Sequence, residues 1–65
     1  MKKIIVKETS QNTYLIYVTV DGINIACEIA NNHEEKIISV NTFLLVYFYD
    51  YTKDDIKNIV EEITL

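Results

Sequence analysis

Proline, tryptophan and arginine are missing from the 65 residues, and cysteine, histidine and glycine occur once each. Because Cys27 is alone, no disulfide can form within one chain, and Cys27 with His33 cannot complete a four-ligand zinc site. A single glycine excludes the Gly-rich loops that hold nucleotide phosphates. We therefore expect neither a cofactor nor a bound metal.

Positive charge is scarce. The chain has six lysines and ten acidic residues, which gives a net charge of −4. Without arginine the chain has no bidentate donor for phosphate or guanine, and Lys2, Lys3 and Lys7 are too few for a strong electrostatic footprint. Direct binding to nucleic acid is therefore disfavoured.

Long hydrophobic runs are also lacking, so the sequence predicts no membrane span and no export signal, and with its unpaired thiol it predicts a cytoplasmic protein. Residues 1–65 suffice for one domain. A domain this small buries only about 60% of its unfolded surface and commonly needs a disulfide, a metal or a partner subunit. With the first two excluded, we predict a homodimer.

The clearest local pattern is a β-hairpin around Asp21-Gly22. Asp-Gly between two alternating β-branched runs is the preferred type I′ connection. The expected register pairs Val20 with Ile23, Val18 with Ile25, Ile16 with Cys27, and Tyr14 with Ile29, all on the core face. We expect an edge strand at 3–7 before the hairpin and a short strand at 36–40 after it, which together make an antiparallel meander.

A capped helix is predicted at the C-terminal end, from Thr52 onward. Thr52 and Asp55 approximate a capping box. Apolar residues then recur with helical spacing at Ile56, Ile59, Val60 and Ile63. Residues 41–51 are apolar on every side, so they are compatible with a helix or a buried strand, and the helix is preferred. The predicted class is α+β: a meander of three or four strands packed against a C-terminal helix or helical hairpin.

Catalytic chemistry has little support. Cys27 falls on the predicted core face, where a thiol is an unreactive filler, and His33 falls in a polar turn. Residues 50–61 match several ligand positions of a calcium loop, but Asp55 replaces the required glycine. We predict no catalytic residues, no metal ligands and no enzymatic activity.

With no catalytic or metal site predicted, the functional prediction rests on the surface residues. Leu15 and Tyr17 lie on the predicted outer face of the sheet, and Leu45, Val46 and Tyr49 lie off the main apolar stripe of their segment. So small a domain cannot bury two apolar faces, so a partner is expected. The predicted contact residues are Leu15 and Tyr17 together with three acidic residues of the predicted last helix, Asp54, Glu61 and Glu62.

The expected function is a non-enzymatic protein-binding module, a stoichiometric inhibitor or adaptor that blocks a larger host protein. Met, Ile, Asn, Lys, Phe and Tyr make up 31 of the 65 residues, as AT-rich genomes produce. This bias suggests a low-GC bacterium or its phage, where an anti-defence protein is one concrete form. The alternative is a nucleic-acid-associated or DNA-mimicking regulatory protein.

Overall fold

A mixed four-stranded sheet with helices on one face forms the fold, in a computed structural model that describes residues 1–64. This confirms the predicted α+β class. The strand order is β3-β2-β1-β4, with β4 parallel to β1 and the other neighbours antiparallel. The elements are β1 (Lys2–Ser10), β2 (Thr13–Val20), β3 (Ile23–Ala30), α1 (His33–Tyr47), α2 (Lys53–Lys57) and β4 (Val60–Thr64).

The three-stranded meander and its Asp21-Gly22 hairpin are confirmed. Asp21 has φ 52° and Gly22 has φ 85°, so both central residues take the positive φ that a type I′ turn requires. The first turn likewise places Asn12 at φ 63°. Asparagine and aspartate tolerate this region better than other side chains, which explains how a chain with one glycine makes two tight turns.

The predicted register of the hairpin is correct for its first two pairs and wrong beyond them. Val20 pairs with Ile23 and Thr19 with Asn24 as expected, but Val18 pairs with Ala26 instead of Ile25, so Ile25 is the extra residue of a β-bulge. A one-residue slip moves every later side chain to the other face. Cys27 is therefore exposed, and the small Ala26 and Ala30 face the helix instead.

The predicted strand at 36–40 is also wrong, because α1 extends over His33–Tyr47. The preferred helix in residues 41–51 is confirmed as far as Tyr47. Asn32 caps the N-terminus of the helix, and its side-chain oxygen accepts the Glu35 backbone N–H at 2.8 Å. The Glu35 carboxylate in turn accepts the Asn31 N–H at 3.2 Å, and acidic residues in the first turn favour the helix dipole.

The predicted C-terminal helix is correct only in its first turn. Thr52 and Asp55 form the expected capping box, but α2 ends at Lys57. The chain then enters β4, where the Ile59 carbonyl accepts the Ile4 N–H at 2.8 Å and Val60 pairs with Ile4. β1 is therefore hydrogen-bonded to a neighbouring strand on both of its sides. β1 is an interior strand and not the predicted edge.

The core lies between the sheet and the two helices. Tyr51 packs edge-on against Phe48, with ring centroids 5.1 Å apart, where the chain turns from α1 toward α2. Partly buried side chains from both helices surround the core. The buried hydrophobic residues are Ile4, Val6, Ile16, Val18, Ala30, Phe43, Phe48 and Ile59.

Two alanine substitutions distinguish β4 from the predicted helix. A helix would direct Ile59 and Ile63 alike into the core, whereas here Ile59 is 6% exposed and Ile63 is 38% exposed. We expect Ile59→Ala to lower the free energy of unfolding by about 2–5 kcal/mol because it leaves a buried cavity. Ile63→Ala should cost about 1 kcal/mol or less. Urea unfolding measures both, and equal losses would contradict the strand.

Candidate functional site

One side of the sheet carries no helix within residues 1–64, and it is called the outer face below. Side chains alternate along each strand, so residues paired across strands point to the same side. On the outer face, two rows of paired residues cross all four strands. The first row is Glu61, Ile5, Tyr17 and Cys27, and the second is Ile63, Lys7, Leu15 and Ile29.

The outer face is apolar along its middle. Ile5 and Tyr17 are direct cross-strand partners, and Leu15 follows on the same side of β2. Ile29, at the far end of the second row, is 65% exposed. Aliphatic and aromatic side chains at adjacent positions form one continuous surface, in which Ile5, Leu15 and Tyr17 are half-buried.

A shallow basin of about 480 Å³ lies at one end of the outer face, and Ile5, Tyr17 and Thr19 contribute to its lining. The charges around it are paired. The Lys3 ammonium lies 3.6 Å from the Glu61 carboxylate, and the N-terminal amine contacts the Asp21 side chain. An apolar floor with a neutral polar rim suits contact with a protein side chain better than contact with a phosphate.

The structure brings together some of the predicted contact residues and separates others. Leu15, Tyr17 and Glu61 share the outer face, and Tyr17 and Glu61 both line the basin. Glu61 and Glu62 are not helical, and as neighbours on a strand they point to opposite sides. Glu62 therefore faces the helical side, and Asp54 lies apart on α2.

Glu62 takes part in a polar cluster between the sheet and α1. The Lys36 ammonium lies 3.5 Å from the Glu62 carboxylate and 5.1 Å from the centre of the Tyr14 ring, and its side chain is only 13% exposed. The cluster links β4, α1 and β2. Its role is structural, because the ammonium is already neutralised by Glu62 and covered by Tyr14.

Cys27 and His33, which the sequence analysis considered for catalysis, do not come together in the structure. Cys27 points to the outer face, whereas His33 lines a cleft on the helical side, so the two residues are on opposite sides of the sheet. No group of three or more His, Cys, Asp or Glu side chains within residues 1–64 could hold a metal ion.

A second apolar surface lies on α1, and sequence analysis found only part of it. Leu45 and Val46 are 76% and 57% exposed, as their positions off the apolar stripe predicted, and Tyr49 is also exposed. Ile38 was missed because it fell in the predicted strand at 36–40, yet it is 60% exposed on the helix. The Asn32–Glu35 cap was the available signal for the helix.

Comparisons with protein-family models, curated protein sequences and solved structures gave no significant match. Within residues 1–64, neither helix has the length and apolar character needed to cross a membrane. The arguments about function therefore come from the geometry of the outer face, the edges of the sheet and the surface of α1.

Neutralising Lys36 should loosen the attachment of β4 to α1. Lys36→Gln removes an ion pair and a cation–π contact, and we expect it to lower the free energy of unfolding by about 1–2 kcal/mol. Lys7→Gln is the matched control, because Lys7 forms no ion pair within residues 1–64 and lies on the outer face. Its effect should stay within about 0.5 kcal/mol. Equal effects in thermal or urea unfolding would contradict a stabilising role for the cluster.

Proposed function

We propose that this protein is a small non-enzymatic binding module that attaches to a larger protein through its outer face. The observation that supports this proposal is the continuous apolar surface formed by Ile5, Leu15 and Tyr17 on a sheet whose other side holds the core. Contiguous apolar surface on a small domain is a common mark of a protein-binding site. Tyr17 lies at the centre of the surface, where interfaces concentrate binding energy in aromatic residues.

Charge favours a protein partner over a nucleic acid. Strong binding to phosphates needs several cations free to release counterions. On the outer face, Lys3 is paired with Glu61, which leaves Lys7 as its one lysine without an ion pair within residues 1–64. Tyr14 cannot supplement Tyr17 as a stacking platform, because it lies on the helical side against Lys36.

A module of this kind acts by occupying a surface of its partner. It acts as a stoichiometric inhibitor or adaptor, a role that needs no catalytic group. The exposed, unpaired thiol of Cys27 is suited to the reducing cytoplasm. The amino-acid bias, which AT-rich genomes produce, points to a low-GC bacterium or its phage. Blocking a host defence protein is one concrete form of this activity there.

Parallel affinity capture tests the assignment to the outer face. The bait proteins are the wild type, Tyr17→Asp and Asp54→Lys, each offered the same low-GC bacterial lysate. Loss of a central aromatic contact costs about 2 kcal/mol or more, so we expect Tyr17→Asp to weaken partner retention by about 30-fold. Asp54→Lys changes an exposed charge on α2 and should retain the partner.

Circular dichroism confirms that each bait is folded. Capture that survives Tyr17→Asp but fails with Asp54→Lys would move the contact surface from the sheet to α2. A salt-sensitive complex with an oligonucleotide that Lys7→Gln abolishes would instead support the nucleic-acid alternative.

A further inference from the structure

The two edges of the sheet differ in how they are protected. In β4, the described residues 60–64 form a short edge strand, and its Glu61 and Glu62 are engaged by Lys3 and Lys36. β3 is eight residues long and contains neither lysine nor proline, and Glu28 is its only acidic residue. Short strands, charges and proline are the usual means of preventing strand addition. The β3 edge is long and lacks lysine and proline, so its protection is limited to the single charge of Glu28 and the bulge at Ile25.

We propose that β3 pairs antiparallel with β3 of a second copy of this chain, forming a two-fold dimer with one continuous eight-stranded sheet. Every second residue of an edge strand presents its backbone N–H and C=O outward. Two identical antiparallel strands satisfy these groups reciprocally. This inference does not rest on the proposed function, because it uses the edge of the sheet and not its outer face.

The symmetry determines where the helices lie. Directly opposed residues of an antiparallel pair point to the same side of the sheet, so the two-fold axis must be perpendicular to the sheet. Both α1 helices then lie on one side of the joined sheet. α1 packs over β2 and β3, so each helix lies beside the shared edge.

The flank of α1 nearest the shared edge is suited to contact with the α1 helix of the second copy. Ile38 and Thr42 line a cleft together with Glu28 of β3, so this side of the helix faces the β3 edge. Val46 is exposed one turn further along the same flank. Strand pairing would place this flank against the same flank of the second copy and bury the apolar surface that a single chain leaves open.

Helix direction adds a favourable electrostatic contribution. Two residues separate the end of β3 from the start of α1, which runs back over the sheet, and the two-fold axis reverses its direction in the second copy. Each helix N-terminus would therefore lie near the C-terminal end of the other helix. Opposed dipoles in this arrangement attract one another.

Charge selects the register. With Glu28 on the axis, two carboxylates would face each other directly, which is destabilising. With Cys27 on the axis, Glu28 instead faces the partner's Ala26. Residues 26–28 then pair regularly, and the pairing continues past them across the bulge at Ile25.

A charge-swap experiment tests both the dimer and its axis. Only a residue on the two-fold axis meets its own copy, so Cys27→Lys and Cys27→Asp should each weaken self-association by at least about tenfold. An equimolar mixture of the two variants should regain the dimer mass in light scattering. Cys27→Ser, which adds no charge, should remain dimeric like the wild type.

The opposite results would overturn the proposal. These are a wild type that stays monomeric at its highest soluble concentration, a dimer unaffected by both charged variants, or a mixture that fails to regain the dimer. Tyr17→Asp should leave the dimer mass unchanged while losing the captured partner. Failure of the edge contact and failure of the proposed function are thus distinguishable.

Disulfide trapping gives a second measurement that needs no charged variant. Residues opposed across an antiparallel pair have Cα atoms about 5 Å apart, within the range that a disulfide spans. A copper–phenanthroline oxidant, which removes two electrons and two protons from the thiol pair, should rapidly link the wild type. A variant with Cys27→Ser and Ser10→Cys carries its thiol at an exposed position on β1 and should link slowly. Equal rates would contradict the axis.

Discussion

The parallel pairing of β4 with β1 is the interaction on which the remaining surface depends. It begins where the Ile59 carbonyl accepts the Ile4 N–H and continues to Thr64 opposite Glu8. This pairing makes β1 an interior strand and leaves β3 and β4 as the two edges. It also directs Glu61 toward Lys3 on the outer face and Glu62 toward Lys36 on the helical side.

A chain of this length has enough helix to cover one side of its sheet. α1 and α2 both contribute to the core on the same side, where Phe43, Phe48 and Ile59 meet the strands. The residues left over form two apolar surfaces, the outer face and the exposed flank of α1. The two surfaces have different chemistry, because the outer face has paired charges at its rim and the helix flank adjoins unpaired backbone on β3.

The sequence predicted turns and helix caps correctly, but it did not predict the pairing of strands that are far apart in the chain. The Asp21-Gly22 turn and the Thr52–Asp55 capping box were predicted because each depends on residues adjacent along the chain. The bulge at Ile25 was not predicted, because it accompanies the packing of Ala26 and Ala30 beneath α1, and the residues next to it in the chain do not show that packing. β4 was missed because the apolar residues at 56, 59, 60 and 63 recur with helical spacing, and that local pattern gave no indication that residues 60–64 pair with the free edge of β1. Leu15, Tyr17 and Glu61 nevertheless share one face, although Glu61 was expected on a helix.

Edge pairing and partner binding are compatible, because one uses the backbone of β3 and the other uses side chains of the outer face. In the proposed dimer, Tyr17 lies opposite Cys27, and Cys27 lies on the axis, so the central row continues without offset into the second copy. Both Tyr17 residues then lie on the same side, about 14 Å apart at 4.8 Å per strand. That spacing is small enough for one partner protein to contact both, so dimer formation would strengthen binding through the outer face without adding a new contact residue.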